Sequence, residues 1–155
     1  GTDNEDDSGV LSYVRVWYGG ADVGDNSNGD SENSGIEING ITFGAVGSRT
    51  VVDHCEVAFN LDDGFEAFGG AVNLKHCSSI FNGDDAFDTD EGYRGKMQFL
   101  FAIVDGAGNH AAEMDGNEDV QPRSFPQVNG ATFLKAAQPG FGDGLMRLRE
   151  GTGGE

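Results

Sequence analysis

Eight carboxylates in two short segments are the residues of this chain best placed to do chemistry. "DDGFEAFGG" (62–70) carries Asp62, Asp63 and Glu66, and "DDAFDTDEG" (84–92) carries Asp84, Asp85, Asp88, Asp90 and Glu91. Carboxylates that converge can hold a hard cation. Calcium takes roughly 6 to 8 oxygen ligands at about 2.3–2.6 Å in flexible geometry. They can also act as acid and base on a glycosidic bond when two of them sit at a defined separation. Carboxylates that stay apart on a turn are simply solvated. Which of these applies depends on the elements that carry them.

Those elements repeat. With residues 52–70 laid over residues 74–92, His54/His76, Cys55/Cys77, Phe59/Phe81, Asn60/Asn82, Asp62/Asp84, Asp63/Asp85, Phe65/Phe87 and Gly70/Gly92 coincide, 8 identities in 19 positions. Fainter copies extend the pattern: "LSYVRVWYG" (11–19) matches "VDHCEVAFN" (52–60), "MQFLFAIVD" (97–105) matches "LKHCSSIFN" (74–82), and "GNHAAEMDG" (108–116) matches "GDDAFDTDE" (83–91). A period in the low twenties marks stacked units. A leucine-rich repeat has that period, but its Leu and Asn frame is missing and no segment reads as a good helix. Short β-branched and aromatic runs ending at Gly or Asn read as strands. The expected architecture is therefore all-β, a parallel β-helix with coils of about 22 residues, each hydrogen-bonded to the coils above and below.

In such a stack, equivalent residues lie about 4.8 Å apart. Phe59 and Phe65 should stack on Phe81 and Phe87 inside the core, and Asn60 and Asn82 should form a turn ladder that satisfies backbone groups. Asp62 comes near Asp84, Asp63 near Asp85, and Glu66 near Asp88, with Asp90 and Glu91 adding charge at the end. Each like pair at that spacing repels by roughly 3.5 kcal/mol at an effective dielectric near 20. Solvation, proton sharing, amide donors or a cation must relieve this repulsion. Calcium is the expected ion, bound by the eight acids. Magnesium demands a tighter octahedron, and zinc lacks a close ligand spacing between His54, His76 or His110 and the cysteines. A solvated turn face and catalytic carboxylates remain the alternatives. Cys55 and Cys77 should be neighbours, as stacked buried thiols or as a disulfide. His54 and His76 should form a surface ladder.

Composition sets the surroundings. Twenty-seven acids against 9 Lys and Arg leave a formal charge of -18, which repels nucleic acid and anionic membranes. Hydrophobic residues at 37% with 11 Phe still allow a packed core. No apolar run of about 18 residues suggests a span, so no membrane insertion is expected. We read residues 1–155 as a single β-helix domain and a segment of a longer chain. Within it, 22–34, including "DVGDNSNGDSEN", forms an inserted acidic loop that lacks the EF-hand spacing.

The stretches "SGVLSYVRVWYGG", "GIEINGITFGAVGSRTVVDHCEV", "DDGFEAFGGAVNLKH", "GDDAFDTDEGYRGKMQF" and "GLMRLREGTGG" resemble a family of secreted or surface right-handed parallel β-helix proteins of bacteria, within the pectate-lyase-like superfamily. The resemblance implies the fold and a secreted or cell-surface location. It also brings in polysaccharide lyases, which pair acidic calcium ligands with a basic residue that removes a proton beside a uronate carboxylate. Basic candidates are Lys75, Arg94, Lys96, Arg147 and Arg149, of which Arg94 and Lys96 directly follow the acids in "DEGYRGK". No nucleophile motif is present, and the negative surface opposes an acidic polysaccharide. The expected role is a calcium-stabilised scaffold that is structural, adhesive or glycan-binding, with self-association through its end coils into filaments. A calcium-dependent polysaccharide lyase is the alternative.

Overall fold

The computed structural model describes residues 3–21, 38–117, 119–136 and 144–154, so the 22–34 loop lies outside the described residues. Strands of three or four residues are too short to stand alone. Each must borrow its hydrogen bonds from the next coil. Fifteen such strands, and no helix, are found among the described residues. The first sheet holds β1 (Val10–Ser12), β4 (Val51–Asp53), β7 (Asn73–Lys75), β10 (Lys96–Gln98) and β13 (Gln127–Asn129). The second holds β2 (Arg15–Trp17), β5 (Glu56–Ala58), β8 (Ser78–Ile80), β11 (Phe101–Val104) and β14 (Thr132–Lys135). The third holds β3 (Ile41–Gly44), β6 (Phe65–Phe68), β9 (Phe87–Asp90), β12 (Ala112–Met114) and β15 (Met146–Leu148).

Every pairing is parallel, and successive strands visit the three sheets in turn. The result is a right-handed parallel β-helix, the hand that parallel crossovers adopt. The pairings follow the repeats read from the sequence: Leu11 on Val52, Val52 on Leu74, Met97 on Leu74, Asp88 on Glu113. The interval of 22 residues belongs to the coils that carry the two acidic segments. It grows to 25 between Asp85 and His110, and it is longer still between Leu11 and Val52 and between Glu113 and Arg147. No helix of the described residues is long and apolar enough to cross a membrane.

The alternation of a strand turns every second side chain inward. Val52, Leu74 and Met97 from the first sheet, Val57 and Ala102 from the second, and Phe65, Phe87, Ala112 and Met114 from the third fill the core. Phe65 and Phe87 stack there with centroids 5.2 Å apart. Phe59 and Phe81 also stack, at 5.7 Å, but on the outside, where Phe59 is 42% exposed. That overturns the expectation of an inward position. The cause is the backbone: both residues turn the corner after the second sheet with left-handed φ of 57° and 56°, which swings the ring out of the strand's alternation. Hydrogen bonds to the next coil continue through these corners, as where Phe59 N–H donates to Ile80 O.

Asn60 and Asn82 form the expected buried ladder. Asn60 N–H donates to Asn82 Oδ1, and Asn60 Nδ2 donates to Ile38 O and Asp63 O. Cys55 and Cys77 face inward as free buried thiols, and burial pushes the Cys77 thiol up to about 12. His54 and His76 lie against each other at the surface, 4.5 Å between centroids and tilted by 34°.

Candidate cation site on the outer face of the third sheet

The third sheet turns Phe65, Ala67, Phe87 and Thr89 inward, so the residues between them face outward. Register places Thr42, Glu66, Asp88, Glu113 and Arg147 in one row along the helix axis. At the edge of this row, the acids at the strand entrances serve the backbone. Asp63 Oδ1 accepts the N–H of Asp85 at 2.8 Å, and Asp85 Oδ1 accepts the N–H of His110. Gly64, next to Asp63, permits close packing, since a Cβ there would lie 2.6 Å from Ala86 O.

Asp63, Asp85 and Glu66 are buried, and Asp88 and Asp90 are half-buried. Burial, helped by the charge of Asp88, pushes the Asp63 carboxyl up to about 10, and burial with the charge of Glu66 pushes Asp88 up to about 9. Burial likewise raises Asp85 to about 8 and Glu66 to about 7, and it raises Asp90. Oxygens of Asp63, Glu66 and Asp88 lie within 4.8 Å of one another, as do oxygens of Asp62, Asp63 and Asp84. Twice a calcium–oxygen distance of about 2.4 Å is about 4.8 Å, so each trio spans no more than one ion's coordination sphere. Asn39 Nδ2 donates to Glu66 Oε2, while Asn39 Oδ1 and Asp88 Oδ1 are buried with no hydrogen-bond partner. Orphaned acceptor oxygens beside buried acids match the demands of a hard cation.

The opposite end of the row is neutralised by protein. Arg147 Nη1 lies 3.3 Å from Glu113 Oε1, Arg149 Nη2 lies 3.3 Å from Glu113 Oε2, and Arg149 Nε donates to Asp115 Oδ2 at 2.5 Å. The bond to Asp115 raises the Arg149 pKa further. His110 Nδ1 lies 3.0 Å from Asp85 Oδ1 and 3.7 Å from Glu113 Oε1. No Lys or Arg among the described residues forms an ion pair with Asp63, Glu66 or Asp88.

The structure thus brings five of the eight acids into the two trios. Asp62, Asp63, Glu66, Asp84 and Asp88 belong to them, whereas Asp85 reaches Asp63 only through its backbone N–H and turns its carboxylate to a third group, with His110 and Glu113. Asp90 and Glu91 belong to neither. Asp90 accepts the N–H of Glu91, and Glu91 turns the next corner at φ 54°, where it accepts from Asn117. Arg94 and Lys96 are likewise carried off the face by that corner. Arg94 donates to Arg123 O and lies over the Phe125 ring, and Lys96 opens β10 on the first sheet. Neither pairs with Asp90 or Glu91. Glu113, Asp115, Asn39 and the role of Arg147 and Arg149 escaped the sequence reading. The faint repeat at 108–116 was the one signal for Glu113 and Asp115, since it aligns Glu113 with Asp88.

Comparison with curated proteins and with solved structures finds no match. A family model, the pectate-lyase like beta helix domain, matches residues 1–155. With three parallel sheets wound coil upon coil and a family match over its full length, this chain belongs to the pectate-lyase-like β-helix domain family.

Proposed function

We propose that this domain is an extracellular, calcium-stabilised β-helix scaffold whose ion-loaded third sheet binds glycans. The observation that carries this reading is the set of unneutralised acids, Asp63 and Glu66 buried and Asp88 half-buried, bordered by the orphaned oxygens Asn39 Oδ1 and Asp88 Oδ1. A bound cation offsets the burial, and the mutual repulsion, that otherwise hold protons on these acids. It also offers open coordination positions to sugar hydroxyls or carboxylates. The family match supports a carbohydrate-related role. The stacked coils support a rigid surface, and the end strands β1, β2 and β3 at one end and β13, β14 and β15 at the other supply edges through which further coils or copies could pair.

One observation favours a lyase as the second reading: Arg147 and Arg149 stand on the same face as the acids. An arginine stays charged in a protein, however, Arg149 all the more for its bond to Asp115, and a charged guanidinium cannot take a proton. It can still grip an acidic sugar. The test is a glycan panel, with polyuronates included, run in calcium and in chelator. Calcium-dependent binding without unsaturated product absorbance supports the scaffold. Product absorbance moves the assignment to the lyase, and absence of any binding in calcium removes the glycan role.

A further inference from the structure

We propose that Asp53, His54 and His76 form a second metal site, selective for a zinc-class divalent transition metal, at the corner between the first and second sheets. His54 Nδ1 lies 2.8 Å from Asp53 Oδ2, and His76 Nδ1 lies 2.9 Å from Asp53 Oδ1. Both rings therefore aim the same nitrogen at one carboxylate, and the three ligand atoms lie within 4.8 Å of one another. Ligands of a tetrahedral zinc with bonds of about 2.0–2.1 Å are about 3.3 Å apart. Admitting the ion needs the two nitrogens and one carboxylate oxygen to settle at that spacing, with loss of the protons that the Nδ1 atoms share with Asp53.

The rings are already fixed for this task. Tyr13 stacks on His54 at 4.8 Å and Phe99 on His76 at 5.1 Å, while the two imidazoles meet at 4.5 Å, tilted by 34°. Left-handed φ of 53° at both histidines sets the direction in which the rings leave the backbone. Faces are occupied by stacking, so the ring edges alone remain for ligation. Solvent reaches the cluster from both sides: Asp53 lines a groove with Val51, Asn73 and Lys75, and the two rings line another with Tyr13, Arg15 and Ser78. Lys75, the register partner of Asp53, forms no ion pair with it, and Arg15 is engaged by Glu56 at 3.6 Å. Two imidazoles and one carboxylate suit zinc, whereas calcium takes oxygen alone. The acidic trios on the third sheet and this corner thus divide hard from borderline cations. The sequence concealed the site because its third ligand, Asp53, stands where the next coil carries Lys75.

The experiment is calorimetric titration with zinc in millimolar calcium, which keeps the third sheet occupied, paired with the visible absorbance of the cobalt form. The expected result is one equivalent of zinc and a nitrogen-ligated cobalt spectrum. His54→Ala, His76→Ala and Asp53→Asn should each weaken zinc binding by about tenfold or more. All three side chains are part exposed, so circular dichroism should show each variant folded. Absence of zinc binding overturns the site, and so does unchanged affinity in all three variants, which would place the zinc on other carboxylates. Calcium binding at the third sheet is measured separately and stands or falls independently.

Discussion

A residue at the corner of a coil needs a left-handed backbone, which costs a side chain about 1–2 kcal/mol and which glycine adopts freely. This chain fills many corners with rings instead: Tyr13, His54, His76 and Phe99 at one, Tyr18, Phe59 and Phe81 at the next. Stacking along the axis, worth about 0.5–1.5 kcal/mol per pair, offsets the strain. Phe59→Gly, which removes both terms, should therefore change stability by no more than about 1 kcal/mol in urea unfolding. Phe65→Ala should cost about 3–5 kcal/mol, because it empties a buried position. A large loss at Phe59 would mean that its stack, not Phe65, holds the coils. The sequence could not separate the two, since both phenylalanines repeat at the same interval. Periodicity reveals equivalence between coils and is silent on which side of the backbone a corner residue leaves. The cysteines were legible because a strand neighbour fixes the side. With both cysteines buried, and the Cys77 thiol raised to about 12 by that burial, neither should react with a thiol reagent at pH 8 until the protein is unfolded. Rapid labelling of the native protein would contradict their burial.

The third sheet gathers acids at its outer face because the same strand position returns with each coil, carrying Glu66, then Asp88, then Glu113, then Arg147. The unfolded chain loses these carboxyl protons near pH 4. The folded chain retains them to about 7 at Glu66, 8 at Asp85, 9 at Asp88 and 10 at Asp63, with burial as the leading cause each time. Folded protein then binds more protons than unfolded, and stability falls as pH rises from about 4 through this range. In chelator, the urea midpoint should be higher at pH 5 than at pH 8. Asp88→Asn should flatten that slope, because it removes one of the titrating groups. A midpoint that rises from pH 5 to pH 8 in chelator would show that the acids are well solvated. The acidic repeat itself was legible from Asp62 to Asp88. The neutralising end was not, because Arg147 and Arg149 arrive on a coil whose length breaks the 22-residue interval, beyond the reach of a fixed offset.

At the scale of the whole molecule, a formal charge of -18 gives every cation a reason to associate. Diffuse attraction and a built site must therefore be told apart. Screening by sodium chloride weakens repulsion between exposed acids beyond about 10 Å at 0.1 M, but it acts little on buried pairs. A site made by Asp63, Glu66 and Asp88, with Asn39 Oδ1 beside them, responds to the identity of the ion rather than to ionic strength. Calcium that binds the folded form alone stabilises it by RT ln(1 + [L]/Kd), about 2.7 kcal/mol at a hundredfold excess over Kd. Melting should be followed at one fixed ionic strength in chelator, magnesium and calcium, for the parent and for Asp63→Asn with Asp88→Asn. The parent should melt several degrees higher in calcium than in chelator or magnesium. The double variant should lose that response and, freed of two buried acids, melt higher than the parent in chelator at pH 8. An equal rise with sodium, magnesium and calcium would assign the whole effect to screening, and the third sheet would then be an acidic face without an ion.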